Sequence, residues 1–225
     1  IDVLPIPIIW DNKEYLDLID IGFHEFYEKL STSSTLPTTS QPSTGTVKKY
    51  VDKYIDEGYT DLIIITLSSG ISSFYNNVLS VADEESRINI HPFDCKITCA
   101  GEANAAILAG RLVKAGADID LIMHDLKDLR NTTDVRFMVA NLNHLKRTGR
   151  LSNAASFDEE REAEWVSDYE SSFPKVKIYQ SIIGPVVGVH VGQHTMAMIW
   201  GRDLDSYFDE NGKPIKDIKS KVVED

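Results

Sequence analysis

Three stretches of this chain gather the residue types that bind or move charge. The first is Thr38-Thr39-Ser40-Gln41-Pro42-Ser43 and the second is Ser68-Ser69-Gly70-Ile71-Ser72. The third is Thr148-Gly149-Arg150-Leu151-Ser152, to be taken with His190 between Gly188 and Gly192. Hydroxyls and backbone N–H groups where a helix starts suit an anionic group. The same serines can also be plain helix caps. Serine, histidine and acidic residues are all present, as a serine hydrolase requires, but no G-x-S-x-G elbow presents a nucleophile. Neither G-x-x-x-x-G-K-[ST] nor G-x-G-x-x-G occurs, so ATP and dinucleotides lack their usual cradles. His190, read alone, is more often a structural histidine than a functional one.

The second stretch sits where ligands of open α/β sheets collect. Residues 62–67, Leu-Ile-Ile-Ile-Thr-Leu, carry no polar alternation, the pattern of a strand buried on both faces in a parallel sheet. The run stops at two serines and a glycine, and an amphipathic helix follows through Phe74, Val78 and Leu79. That places the serines beyond the carboxyl end of a strand.

The remaining elements alternate around this one. Residues 1–10 are strand-like but broken or confined to an edge by Pro5 and Pro7, residues 14–19 form a short second strand, and Phe23, Phe26, Tyr27 and Leu30 fall at helical spacing. Residues 31–43 form a Ser/Thr-rich loop. Residues 45–57 form a helix ended by Gly58, 88–93 a strand, and 103–113 a helix with an apolar stripe at 105, 108, 109 and 112. Another helix covers 119–129. Further on come a strand over 132–139, helices over 142–145 and 158–173, and a strand over 176–183. A glycine-punctuated turn over 184–192 and a strand over 195–200 follow. Strands alternating with helices predict an α/β fold with a doubly wound, largely parallel sheet. The polar tail from 201 turns at Glu210-Asn211-Gly212.

Bulk properties exclude several classes. A chain of 225 residues with 42% hydrophobic and 26% charged residues is an ordinary globular composition. A net charge of −12 argues against nucleic acid or an anionic membrane surface as the main partner. No apolar run approaches the roughly 20 residues that span a bilayer. Cys95 and Cys99 lack further ligands at zinc spacing and read as free thiols of a cytosolic protein.

In order along the chain, four motifs resemble the DegV family: Thr39-Ser40-Gln41-Pro42-Ser43, then Ser68-Ser69-Gly70-Ile71-Ser72-Ser73-Phe74-Tyr75, then Gly149-Arg150-Leu151-Ser152, then residues 183–192 from Ile183-Gly184-Pro185 to Gly192. Val3-Leu4-Pro5-Ile6 and Asp20-Ile21 fit the family's early strand and turn, and the likeness extends over residues 1 to about 200. The resemblance implies a two-domain α/β protein, divided here into 1–130 and 131–225, with one long-chain fatty acid in a tunnel between the domains. It implies that Thr39, Ser40, Ser68, Ser69 and Ser72 surround the carboxylate, with Ser69 favoured as the direct ligand. Arg150 and His190 would face a partner, the ATP-dependent fatty acid kinase of bacterial members. No cofactor, metal, nucleic acid or stable membrane insertion is implied, and the expected location is cytoplasmic. A serine-dependent lipid hydrolase and a fatty-acid sensor are the alternatives. Three departures stand out: the family's opening strand is absent before Ile1, Cys95 replaces a serine after Asp94, and a segment expected between Phe157 and Asp158 is missing. Residues 207–215 resemble the hairpin expected in that gap.

Overall fold

The computed structural model describes residues 1–138, 177, 179, 181–192 and 195–216. β1 (Pro7–Trp10) and β2 (Lys13–Leu16) form an antiparallel hairpin, whose turn uses Asp11 and Asn12 at positive φ. α1 (Phe23–Thr32) follows, and β3 (Thr38–Thr39) then pairs with the far edge of β1, Thr39 opposite Ile8. The expected loop over 31–43 therefore contains two strand residues. They are too few to show a period, and the pairing with β1 is what makes them a strand.

α2 (Thr44–Asp56) is capped by Ser43, whose hydroxyl accepts the Thr46 N–H. It is followed by Gly58 at φ 83, the left-handed conformation expected of a glycine closing a helix. β4 (Asp61–Thr66) pairs in parallel with β5 (Asn89–Asp94), and α3 (Phe74–Glu84) crosses between them. The unbroken apolar run of β4 is explained by what lies on its two sides. Ile63 and Ile65 pack on the cluster of Phe93, Leu108, Leu112 and Leu126, whereas Leu62 and Ile64 pack on the cluster of Val47, Val51, Val78 and Val81. α4 (Ala100–Lys114) buries the predicted stripe of Ala105, Leu108, Ala109 and Leu112. α5 (Ile119–Thr132) is capped by Asp118 and packs beside it.

β6 (Asp134–Met138) and β7 (Met196–Trp200) pair antiparallel. The α/β class stands. Among the described residues β4–β5 is the parallel pair, while the β2-β1-β3 sheet and the β6–β7 pair are antiparallel. Where 176–183 was expected as a strand, the described residues carry no regular structure. The expected helices over 142–145 and 158–173 lie outside the described residues.

Residues 184–192 correct the sequence reading: they hold a helix, α6 (Pro185–Val191), where a turn was expected. Gly184 is its N-cap and Pro185 its first residue, the position where proline's missing N–H costs nothing. Gly192 closes it at φ 79. A Cβ on Gly188 would stand 2.7 Å from the Tyr27 hydroxyl and 2.9 Å from Phe26. The glycines are thus caps and a close approach. α6 places Val186 and Val189 in the cluster of Ile8, Trp10, Ile21 and Phe26. In the tail, Leu204–Tyr207 form a short 3₁₀ turn, and Phe208 and Pro214 bridge around Gly212. The Tyr207 hydroxyl donates to Asp128 at 2.7 Å, tying the tail to α5.

Candidate functional site

A cavity of about 460 Å³ opens where β3, the turn after β4, the start of α3 and α6 meet. Ile6, Leu67, Phe74, Val186, Val187 and Val191 supply apolar lining. Thr39, Ser40, Ser72, Ser73, Thr98 and His190 supply hydroxyls and an imidazole. Among the described residues no lysine or arginine lines it. That size is in the ordinary range for a small-molecule site.

Two elements distant in sequence bring Thr39 and His190 together. β3 fixes Thr39 through its pairing with β1, α6 carries His190, and Thr39 Oγ1 lies 2.9 Å from His190 Nε2. α6 is itself pinned at its start. The Tyr27 hydroxyl donates to Ile183 O at 2.9 Å, and the Asp17 carboxyl faces the Val186 N–H. Burial drives the Asp17 carboxyl up to about 6, against the opposing effect of that N–H. A second carboxylate held partly out of solvent, Glu102 in the first turn of α4, lies near the Leu67 N–H where β4 runs into the serine turn. Burial pushes Glu102 up to about 7.

The serines divide. Ser72 and Ser73 border the cavity just ahead of α3, Ser73 as its N-cap residue. Ser72 Oγ accepts the Phe74 N–H at 3.2 Å, and Ser73 donates to Gln41, itself a lining residue, at 3.1 Å. Ser68 and Ser69 are not among the lining residues. Ser68 Oγ accepts the Gly70 N–H at 3.2 Å. Ser69 donates its hydroxyl to Asp94 Oδ2 at 2.5 Å, and its N–H to Oδ1 at 3.1 Å. Arg150 lies outside the described residues. Sequence reasoning missed Thr98, Ser73 and the valines of α6. Only the Gly184-Pro185 pair signalled the last, since a proline after a cap residue marks a helix start.

The acids and bases do not form a serine-hydrolase relay around Ser69. Its hydroxyl meets Asp94 directly, with no imidazole between them. Burial works to raise the Asp94 carboxyl, but the Ser69 hydroxyl and the N–H groups of Lys96 and Ser69 outweigh it and hold the group below the usual carboxylate range. An acid stabilised as its anion in this way is a poor base. Among the described residues no group of three or more potential metal ligands forms, and no helix is long and apolar enough to cross a membrane.

Fold and site together define an α/β protein that encloses an apolar cavity faced with neutral hydroxyls. Residues 1–158 match the family model described as "Uncharacterised protein, DegV family", and the chain belongs to the DegV family. A DegV domain-containing protein of Staphylococcus aureus is 30% identical over 209 residues, covering 91% of this chain and 69% of its own length. Protein DegV of Bacillus subtilis is 25% identical over 257 residues, covering 89% and 91%. Among solved structures, DegV from Bacillus subtilis, described as a fatty acid binding protein, superposes with a TM-score of 0.79 at 24% identity, covering 89% of this chain and 91% of that one. A stearic acid-binding protein from Eubacterium ventriosum gives 0.76 at 18% identity, covering 90% and 91%.

Proposed function

We propose that this chain holds one long-chain fatty acid, with its carboxylate at the hydroxyls around Thr39 and Ser72 and its tail along the apolar lining. The observation that carries this reading is the cavity itself: apolar walls, clustered neutral hydroxyls and no cationic lining side chain among the described residues. A sixteen-carbon tail buries about fourteen methylenes at ~0.8 kcal/mol each, roughly 11 kcal/mol gross before the cost of ordering the chain. The tail can therefore supply the affinity. Neutral hydroxyls then suffice to orient the carboxylate and leave an oxygen open to a reagent.

That leads to the finer proposal, in which the protein turns nothing over itself and presents the bound carboxylate to an ATP-dependent fatty acid kinase in the cytoplasm. Phosphoryl transfer builds negative charge at the head group. His190 when protonated, and Arg150 as the family resemblance assigns it, would stabilise that charge. We further propose that the chain divides at 130/131, with α6 as the part of the second unit that closes the site on the first.

Native mass spectrometry of freshly purified protein tests the first step. The expected result is one acyl chain per protein. Folded preparations that carry no lipid and take up no added palmitate would overturn it. Incubation with ATP and a fatty acid kinase tests the second step, acyl phosphate being the expected product. The Thr39–His190 contact is the one observation that favours hydrolysis, because a hydroxyl beside an imidazole is also the start of a nucleophilic pair. Ester turnover abolished by Thr39→Val would establish that reading instead.

A further inference from the structure

We propose that Asp94 is the positioning residue of the head-group site, joining the serine turn after β4 to the loop after β5 so that both reach the cavity in fixed register. This rests on the fatty-acid reading above. The carboxylate, 6% exposed, accepts three hydrogen bonds. Oδ2 takes the Ser69 hydroxyl, and Oδ1 takes the N–H groups of Ser69 at 3.1 Å and of Lys96 at 3.0 Å. The two loops meet again where the Ser68 N–H donates to Ile97 O at 2.8 Å. Arg130 from α5 donates to Asp94 O at 3.1 Å and fixes the end of β5 from below.

The loop after β5 is strained in a way that needs such a holder. Lys96 and Cys99 both have positive φ, 56 and 54, in the left-handed region that L side chains avoid. Strain of this kind persists only where surrounding contacts over-determine it, and it gathers at functional sites. Between the two strained residues lies Thr98, 8% exposed and lining the cavity. Asp94 thus sets the backbone at Lys96 on one side and at Ser69 on the other, and the cavity-lining Thr98 and Ser72 follow from each.

Proton counting gives the chemical consequence. A serine hydroxyl has one proton, and Ser69 commits it to the hydrogen bond it donates to Asp94. A ligand carboxylate only accepts, so Ser69 has no donor left for it while Asp94 is ionised. Ser72 Oγ accepts from Phe74 and keeps its proton for a ligand. Ser69 belongs to the support, together with Asp94.

Palmitate labelled with ¹³C at the carboxyl and at the terminal methyl tests this on the full chain by NMR and titration. Asp94→Asn is expected to move the bound carboxyl resonance, leave the methyl resonance in place and weaken binding about tenfold. Ser69→Ala is expected to give a smaller shift in the same direction and to add nothing in the Asp94→Asn background, because the two act as one unit. Lys96→Gly, which adopts positive φ freely, is expected to restore part of the carboxyl resonance lost in Asp94→Asn. It also serves as the background if that variant alone does not fold. Additive effects of Ser69→Ala and Asp94→Asn would show Ser69 acting on the ligand itself and overturn the proposal. So would an unmoved carboxyl resonance in Asp94→Asn, or in Asp94→Asn/Lys96→Gly against Lys96→Gly. A wild-type protein that binds no palmitate removes the fatty-acid reading and this one with it.

Discussion

At Thr39 and His190 two residues 151 positions apart in the chain share one hydrogen bond at the wall of an apolar cavity. Thr39→Val keeps the β-branched shape that suits a strand and removes only the hydroxyl. If that hydroxyl meets a fatty-acid carboxylate, the loss of one hydrogen bond to a charged group should weaken binding by about 1.5–3 kcal/mol, measured by titration with palmitate. His190→Ala should leave the tail seated and the protein still loaded. Kinase-dependent acyl phosphate should then fall by one to three orders of magnitude, at about 1.4 kcal/mol per tenfold. An empty, destabilised His190→Ala protein would instead make the histidine structural. Thr39, Ser72 and His190 could be picked out in the sequence because hydroxyls and an imidazole punctuate glycine- and proline-marked loops. Thr98 could not. Its role comes from the strained backbone of its neighbours, and nothing in the letters Ile97-Thr98-Cys99 announces a positive φ.

The elements were legible in proportion to their length and periodicity. The stripe of α4 and the glycine that closes α2 follow from local rules and stand in the structure where those rules put them. β3 and α6 do not. One is two residues long and exists through its partner, and the other is a seven-residue helix spaced by glycines that imitate a turn. Gly188 shows what that spacing is for. It lets α6 lie against Phe26 and Tyr27, so that Val186, Val187, His190 and Val191 reach the cavity. Gly188→Ala would drive a methyl group into the Tyr27 hydroxyl and the Phe26 ring, and overpacking of this kind costs about 1–3 kcal/mol. Since α6 must move to relieve it, thermal stability and palmitate affinity should fall together in melting and titration experiments. A variant that loses stability but keeps full affinity would show that α6 does not set the cavity wall.

Across the whole molecule two partly buried carboxylates, Asp17 and Glu102, lie near the N–H groups of Val186 and Leu67, two residues that line the cavity. Burial raises Asp17 from its ordinary 3.8 to about 6 and Glu102 from 4.5 to about 7. Between those limits the folded chain binds more protons than the unfolded one, so stability falls as pH rises. The contribution is fully present below the ordinary values and is lost as pH passes through about 6 for Asp17 and about 7 for Glu102. The lowered carboxylates act in the other direction. Asp94, kept below its ordinary range despite burial, and Glu85, held at about 2 by Arg87, contribute stability that is lost only at more acid pH. Together these set the expected maximum in melting temperature near pH 4, with a decline from about pH 4.5 to 7.5 on the order of 2–4 °C for each kcal/mol lost in a chain of this size. Asp17→Asn and Glu102→Gln keep an oxygen toward the backbone N–H and remove the partly desolvated charge. Each should raise the melting temperature at pH 7.5, change it little at pH 4.5 and flatten the slope between. Scanning calorimetry at pH 4.5, 5.5, 6.5 and 7.5 on the wild type and both variants measures this. A wild-type melting temperature that climbs from pH 5.5 to 7.5, or variants that keep the full slope, would show that these carboxyls are solvated in solution.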